Sequence, residues 1–326
     1  MTSVPIEGAA RAVAQVGDDV SPADLARLRR VPAFAGGPLT VAPLPGGLTN
    51  RNFKVTTSDG RRMVARLSDA DSSLLAIDRE AEYHDSVAAA STGIAPRVVD
   101  RVVEGAHGGG VLVVDWVDAR TWTPADVADE TNLRRLAAAC RVLHAGPRFA
   151  RTFDMFAVQA RYLAVVRERG FRLPDGYGDH LPAFARIQAA LAVRPVPTVP
   201  CNNDLLAANV LDEGDRLWLI DYEYAGTNDP CFELGNIWSE AGLEPHLLDV
   251  LVEAYAGRPS RRLVARARLL GLAAQYGWTL WASIQHATSA LAFDFWSWGA
   301  EKYERAVAEF EGPDLPRLLD EVIRDD

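Results

Sequence analysis

The sequence predicts an α+β chain of two lobes, a small antiparallel β-rich N-lobe and a larger, mainly helical C-lobe. Three observations carry this: a length of 326 residues, short β-like runs concentrated in the first 117, and helical periodicity over most of the rest. At roughly 150 residues per domain, the length fits two domains or lobes.

Taken in order, residues 21–30 (SPADLARLRR) predict a short helix with Ser21 as N-cap, Pro22 at its first position and an acid in its first turn. LTVAPL, NFKVTT and RMVARL then read as short strands, separated by the Gly46-Gly47 pair and the Ser58-Asp59-Gly60 turn, and suggest an antiparallel sheet. A helix is predicted at about Leu74–Ala90, followed by a buried strand from Val111 to Val117. Beyond DARTWTPAD, Leu133, Leu136, Ala137, Cys140 and Leu143 share one helical face. The helical half is interrupted over 200–221, where a loop leads into a hairpin: ANVL, the turn Asp212-Glu213-Gly214-Asp215, then RLWLI ending in Asp221. The predicted lobes are residues 1–117 and 118–326.

Composition narrows the function. Hydrophobic residues are 48% and charged residues 24%, an ordinary globular balance. Acidic residues number 44 against 34 basic, a net charge of −10, which disfavours nucleic acid and anionic membranes and fits a cationic small molecule. Cys140, Cys201 and Cys231 are odd in number and lack CxxC spacing, which argues against a disulfide framework and a structural zinc. Histidines 84, 107, 144, 180, 246 and 286 show no HxxxH or HxH pattern and read as surface or capped residues. With no apolar leader core and no long apolar run, a soluble cytoplasmic protein is expected.

The strongest chemical signal is Asn203-Asp204-Leu-Leu-Ala-Ala-Asn209, followed by Ile220-Asp221-Tyr222-Glu223 at the end of the hairpin. In kinase-type phosphoryl transfer one carboxylate takes the proton of the acceptor hydroxyl, while an Asn and a second Asp hold magnesium on the phosphates. Asp204 is then the candidate base or orienting carboxylate, and Asn209 and Asp221 the candidate Mg²⁺ ligands. Gly46-Gly47-Leu48-Thr49-Asn50, between two predicted strands, fits either a simple hairpin turn or a loop covering phosphates through its N–H groups. Trp278 and Trp281, at helical spacing, fit either a core face or an aromatic cage for an ammonium group.

In these stretches the chain resembles the bacterial choline/ethanolamine kinases, within the aminoglycoside phosphotransferase superfamily. The motifs are GGLTN, Ala65-Arg66-Leu67, Ile77-Asp78-Arg79-x-x-Glu82, PCNNDLLAANV, LWLIDYEYAG and FELGN, and the likeness runs from Pro45 to about Arg305. It implies a protein-kinase-like fold with ATP and Mg²⁺ in a cleft, a hinge near Asp115–Val117, and Gly47, Thr49 and Asn50 in a phosphate-covering loop. It also implies Arg66 as the cation on the nucleotide phosphates, supported by Glu82. The chain has two lysines, Lys54 and Lys302. The alternation of Phe53 and Val55 sends Lys54 to the outer face, which leaves the phosphate charge to Arg66. For the acceptor the resemblance implies choline, held by Trp278, Trp281, Glu240 and Trp298, with Trp296 as an alternative in register. Ethanolamine, thiamine and an aminoglycoside are the competing acceptors. Two departures stand out: Asn202 where the family carries histidine, which raises the alternative of a pseudokinase that binds a quaternary amine, and Glu233 where Asp is usual.

Overall fold

The structure, a computed structural model, describes residues 15–16, 20–68, 72–104 and 109–325. His107 and most of the N-terminal stretch inspected for a leader lie outside the described residues. The chain divides into two compact units, Met1–Ala70 with Val98–Trp116, and Asp71–Arg97 with Val117–Asp326.

In the first unit α1 (Pro22–Leu28) begins where Ser21 accepts from the Asp24 N–H at 3.0 Å, satisfying a donor that has no partner inside the helix. The sheet of this unit runs β1 (Gln15–Val16), β2 (Leu39–Leu44), β3 (Arg51–Thr57), β4 (Arg62–Ser68), β6 (Gly109–Asp115), β5 (Val98–Glu104). Only the β1–β2 pair is parallel among these strands. Phe53, Val55, Met63, Ala65, Leu67, Val111 and Val113 form one apolar face, packed with Leu28, Val31 and Phe34.

The strand register corrects one expectation. Lys54 pairs with Val64 and Asn52 with Arg66. Residues directly opposite one another in an antiparallel pair project to the same side, so Lys54 and Arg66 share the face away from the apolar core. Alternation does separate Lys54 from Phe53 and Val55, but it sends Arg66 the same way. The Lys54 ammonium lies 4.0 Å from the centre of the Trp116 ring.

In the second unit α2 (Arg79–Ser91) starts later than the periodicity predicts, because Asp78 accepts from the Glu80 and Ala81 N–H groups and caps it there. The segment 71–97, which holds α2, falls within this compact unit. Arg79 donates to Glu223 at 3.1 Å, Asp85 accepts from the Ala150 N–H at 2.7 Å, Tyr162 donates to Leu75 O at 2.6 Å, and the Leu219 N–H donates to Ile94 O at 2.8 Å. Then come β7 (Arg120–Thr121), α3 (Pro124–Val127), α4 (Glu130–His144), α5 (Met155–Arg169) and α6 (Leu181–Val193). β8 (Val199–Cys201), β9 (Val210–Asp212), β10 (Leu217–Leu219) and β11 (Gly226–Asn228) form two small sheets, β10-β9-β7 and β11-β8. β7, β8 and β11 are two or three residues long, too short to carry a period in sequence.

The unit ends with α7 (Pro230–Glu240), α8 (Pro245–Ala256), α9 (Arg261–Thr288), α10 (Phe295–Glu311) and α11 (Asp314–Glu321). Every residue of α9 from Ala265 to Gln285 is buried, so this helix is the centre of the unit. Its closest neighbour is α7. A Cβ added to Gly235 would stand 2.0 Å from Ala267 O and 2.7 Å from Gly271 N, so the two helices touch backbone to backbone. Gly235→Ala should cost about 3 kcal/mol, near the upper end for overpacking, since neither backbone can yield. Thermal unfolding followed by circular dichroism checks this, and an unchanged midpoint would contradict the close crossing. Among the described residues no helix is long and apolar enough to cross a membrane.

Candidate active site

β8 delivers the chain into a buried loop whose geometry is set by two asparagines. Asn203 has φ 67° and Asp221 has φ 66°, a left-handed conformation that Asn and Asp tolerate better than most side chains. The Asn203 amide donates to Tyr224 O at 3.0 Å and its oxygen accepts from Asn228 at 2.8 Å. Asn202 is fully buried. Its Oδ1 accepts from the Asp204 N–H at 3.0 Å, and its Nδ2 donates to Ile220 O at 3.1 Å and Asp221 O at 2.9 Å. One side chain thus ties the Asp204 backbone to the end of the hairpin that carries Asp221. An amide has both the acceptor and the two donors this needs.

Asn209 donates from Nδ2 to Asp204 O at 2.7 Å, which leaves its Oδ1 as the end available to a ligand. Its backbone carbonyl accepts from the Ile220 N–H at 3.0 Å. Asp204, Asn209 and Asp221 are therefore gathered on one loop and one hairpin. Burial pushes the Asp204 carboxyl well above the usual carboxylate range, and the charges of Asp221, Glu240 and Glu223 push it the same way, against the pull of Lys302.

Beneath the loop the buried Glu233 accepts from the Asn202 N–H at 2.9 Å and from the Asn203 N–H at 2.6 Å. His144 lies 3.7 Å from both Glu233 and the Cys201 sulfur, and its Nδ1 meets the Tyr255 hydroxyl at 2.8 Å. This histidine is buried, contrary to the reading of all six as surface or capped residues. The reason is tertiary: α4 brings it under a loop nearly sixty residues away. His144, Cys201 and Glu233 have the spacing of a metal-ligand group, but both Glu233 oxygens already accept backbone N–H groups, so the cluster serves as the floor of the loop.

The residues expected at the nucleotide divide between the two units. In the first, Gly46 and Gly47 turn β2 into β3 with φ of 87° and 94°. A Cβ on Gly47 would lie 2.8 Å from the Asn52 amide and 2.9 Å from Asn50 O. Asn50 is buried and donates to Thr49 Oγ1 at 3.3 Å, and Arg66 is half-buried on β4. Glu82 lies in the second unit, in the first turn of α2, where Arg79 donates to it at 2.8 Å. Arg79 bridges Glu82 to Glu223, two residues past Asp221. Sequence reasoning assigned Arg79 no role, although its i, i+3 spacing to Glu82 was visible.

The acceptor candidates lie in the second unit on α7, α9 and α10. Trp278 donates its indole N–H to Asn236 Oδ1 at 3.2 Å, and Trp281 donates to the Tyr224 hydroxyl at 2.8 Å. Tyr224 packs edge-on to Trp278 at 5.0 Å, and Trp281 meets Trp298 at 5.5 Å. Trp296 instead lies under the Arg172 guanidinium, which is 3.5 Å from the indole ring centre, and meets the His286 ring at a tilt, 5.9 Å between centres. Glu240 is held by Lys302, whose ammonium lies 2.6 and 2.5 Å from its two oxygens. Neither Tyr224 nor Lys302 was foreseen in this cluster.

A β-rich unit followed by a helical unit with this loop and hairpin is the architecture of the protein-kinase-like phosphotransferases. The chain belongs to the phosphotransferase enzyme family, whose sequence model matches residues 40–266, and within it to the choline/ethanolamine kinases. A solved choline/ethanolamine kinase family protein from Mesorhizobium loti is 31% identical, with a TM-score of 0.77, covering 92% of this chain and 99% of that one. Protein LicA of Haemophilus influenzae is 29% identical over 222 residues, 66% of this chain and 62% of LicA, so the match spans less than two thirds of that relative. Ethanolamine kinase 2 of Mus musculus is 25% identical over 312 residues, 85% of this chain and 78% of the mouse protein.

Proposed function

We propose that this chain transfers the γ-phosphoryl group of ATP to the hydroxyl of a small amine alcohol, with choline as the first candidate and ethanolamine as the second. The observation that carries this reading is the Asn202 clamp, which joins the Asp204 backbone to the Asp221 end of the hairpin. Asn202 meets each of its three partners here, so the loop is held without the family's histidine, and this favours an enzyme over a pseudokinase.

In this reading Asp204 receives the acceptor hydroxyl and takes its proton as the oxygen attacks in line. Gly47, Thr49, Asn50 and Arg66 hold the nucleotide, with Glu82 in support. Mg²⁺ prefers oxygen ligands, and the free Oδ1 of Asn209 and the carboxylate of Asp221 are such a pair beside an excess of negative charge. These two would hold the ion, which when bound neutralises charge on the phosphates. Trp278, Trp281, Trp298 and Glu240 supply aromatic faces and a carboxylate for the amine end.

Coupled ADP release against a panel of choline, ethanolamine, thiamine and kanamycin tests the reading. Turnover is expected with choline or ethanolamine. Turnover confined to thiamine or kanamycin would overturn it, as would nucleotide and choline binding without ADP release.

A further inference from the structure

The ammonium of Lys302 sits between the Glu240 carboxylate and the Trp298 ring, two groups of the acceptor seat proposed above. It is 2% exposed, meets both oxygens of Glu240 at 2.6 and 2.5 Å, and lies 4.0 Å from the centre of the Trp298 ring. Trp298 and Lys302 are four residues apart on α10, so the helix itself lays the lysine over the ring. The same ring packs on Trp281 at 5.5 Å, and the charges of both Glu240 and Lys302 are felt at Asp204. A carboxylate and an indole face are the two groups that recognise an ammonium ion, and here they recognise one that belongs to the chain.

We propose that Lys302 is a specificity-determining residue: a tethered cation in the Glu240–Trp298 seat that an acceptor's ammonium group must displace. This rests on the reading of Glu240, Trp281 and Trp298 as the acceptor seat. Two consequences follow from charge and space. Glu240 is neutralised while Lys302 is in place, so it offers little attraction to a second cation. One face of Trp298 is covered, so a trimethylammonium group and Lys302 cannot share it. A seat free only a fraction of the time lowers apparent affinity by that fraction, so a lysine seated about nine-tenths of the time weakens a cation roughly tenfold.

The test is a binding titration with choline and with tetramethylammonium, which lacks the hydroxyl, read by isothermal calorimetry on the full chain without ATP. Lys302→Met keeps the apolar stem and removes the charge. It is expected to bind both cations roughly tenfold more tightly or better, because the Glu240 carboxylate and the ring face are released. Since that variant leaves a buried carboxylate without its partner, the neutral pair Glu240→Gln with Lys302→Met is measured beside it. With the competitor and the carboxylate both gone, the pair should give back the share of the gain that the carboxylate supplies and bind both cations more weakly than Lys302→Met. A Lys302→Met protein with unchanged or weaker binding overturns the proposal, and so does a neutral pair that binds as tightly as Lys302→Met, which would show that the gain does not come from a released Glu240. ADP release is recorded separately with choline and ethanolamine: its absence in every variant, alongside the gain in tetramethylammonium binding, would overturn the kinase reading and leave the Lys302 assignment standing.

Discussion

Asp204→Asn should lower turnover by about three orders of magnitude while leaving the melting temperature equal to or above that of the parent. The loss follows from chemistry, since an amide cannot take the proton of an attacking hydroxyl, and general-base contributions run to about 10²–10⁴ in rate. The stability prediction follows from electrostatics. Burial and the neighbouring Asp221, Glu240 and Glu223 raise the Asp204 carboxyl above its ordinary range, so its charged form is less favourable in the folded chain than in the unfolded one. A group raised in this direction costs stability at neutral pH, and asparagine removes that cost. The fixed points of the loop survive, because Asn202 grips the Asp204 N–H and Asn209 grips its carbonyl, and neither bond uses the carboxylate. Initial rates at saturating ATP and acceptor, with thermal unfolding of the same preparations, check both halves. A variant within about tenfold of the parent rate would remove Asp204 from the role proposed for it.

What could be read from the sequence was mostly local. The D-x4-N loop, the hairpin ending in Asp221 and the glycine pair each span a few residues, and their geometry follows from turn chemistry and short periods. The Trp278 and Trp281 spacing also survives, since both lie on one buried helix. The features that escaped are pairings between distant segments. Nothing near Glu240 in sequence announces that Lys302, 62 residues on, will bind both of its oxygens. Nothing near α2 announces that Arg79 reaches Glu223, 144 residues on. The Lys54 and Arg66 question has the same origin, because alternation within one strand gives a face, and only the register against the next strand says which residues share it.

Glu233→Ala should damage stability and turnover together, where Asp204→Asn separates them. Glu233 is fully buried, and its two oxygens accept the N–H groups of Asn202 and Asn203, consecutive residues of the loop. Alanine leaves two buried donors without partners at about 1–3 kcal/mol each, so a loss near 4 kcal/mol is expected. That is a large part of the roughly 5–15 kcal/mol by which a folded domain is stable. Glu233→Gln keeps the volume and one good acceptor, but turns an NH₂ group toward the second backbone N–H, so about half of the loss should remain. Urea unfolding ranks the three proteins. Turnover should follow the same order at temperatures where all are folded, because the Asn202 side chain that grips Asp204 is oriented by the backbone that Glu233 pins. An alanine variant with the parent's midpoint would mean that the loop is held without these two bonds. A glutamine variant as stable as the parent would mean that one of the two bonds suffices to hold the loop.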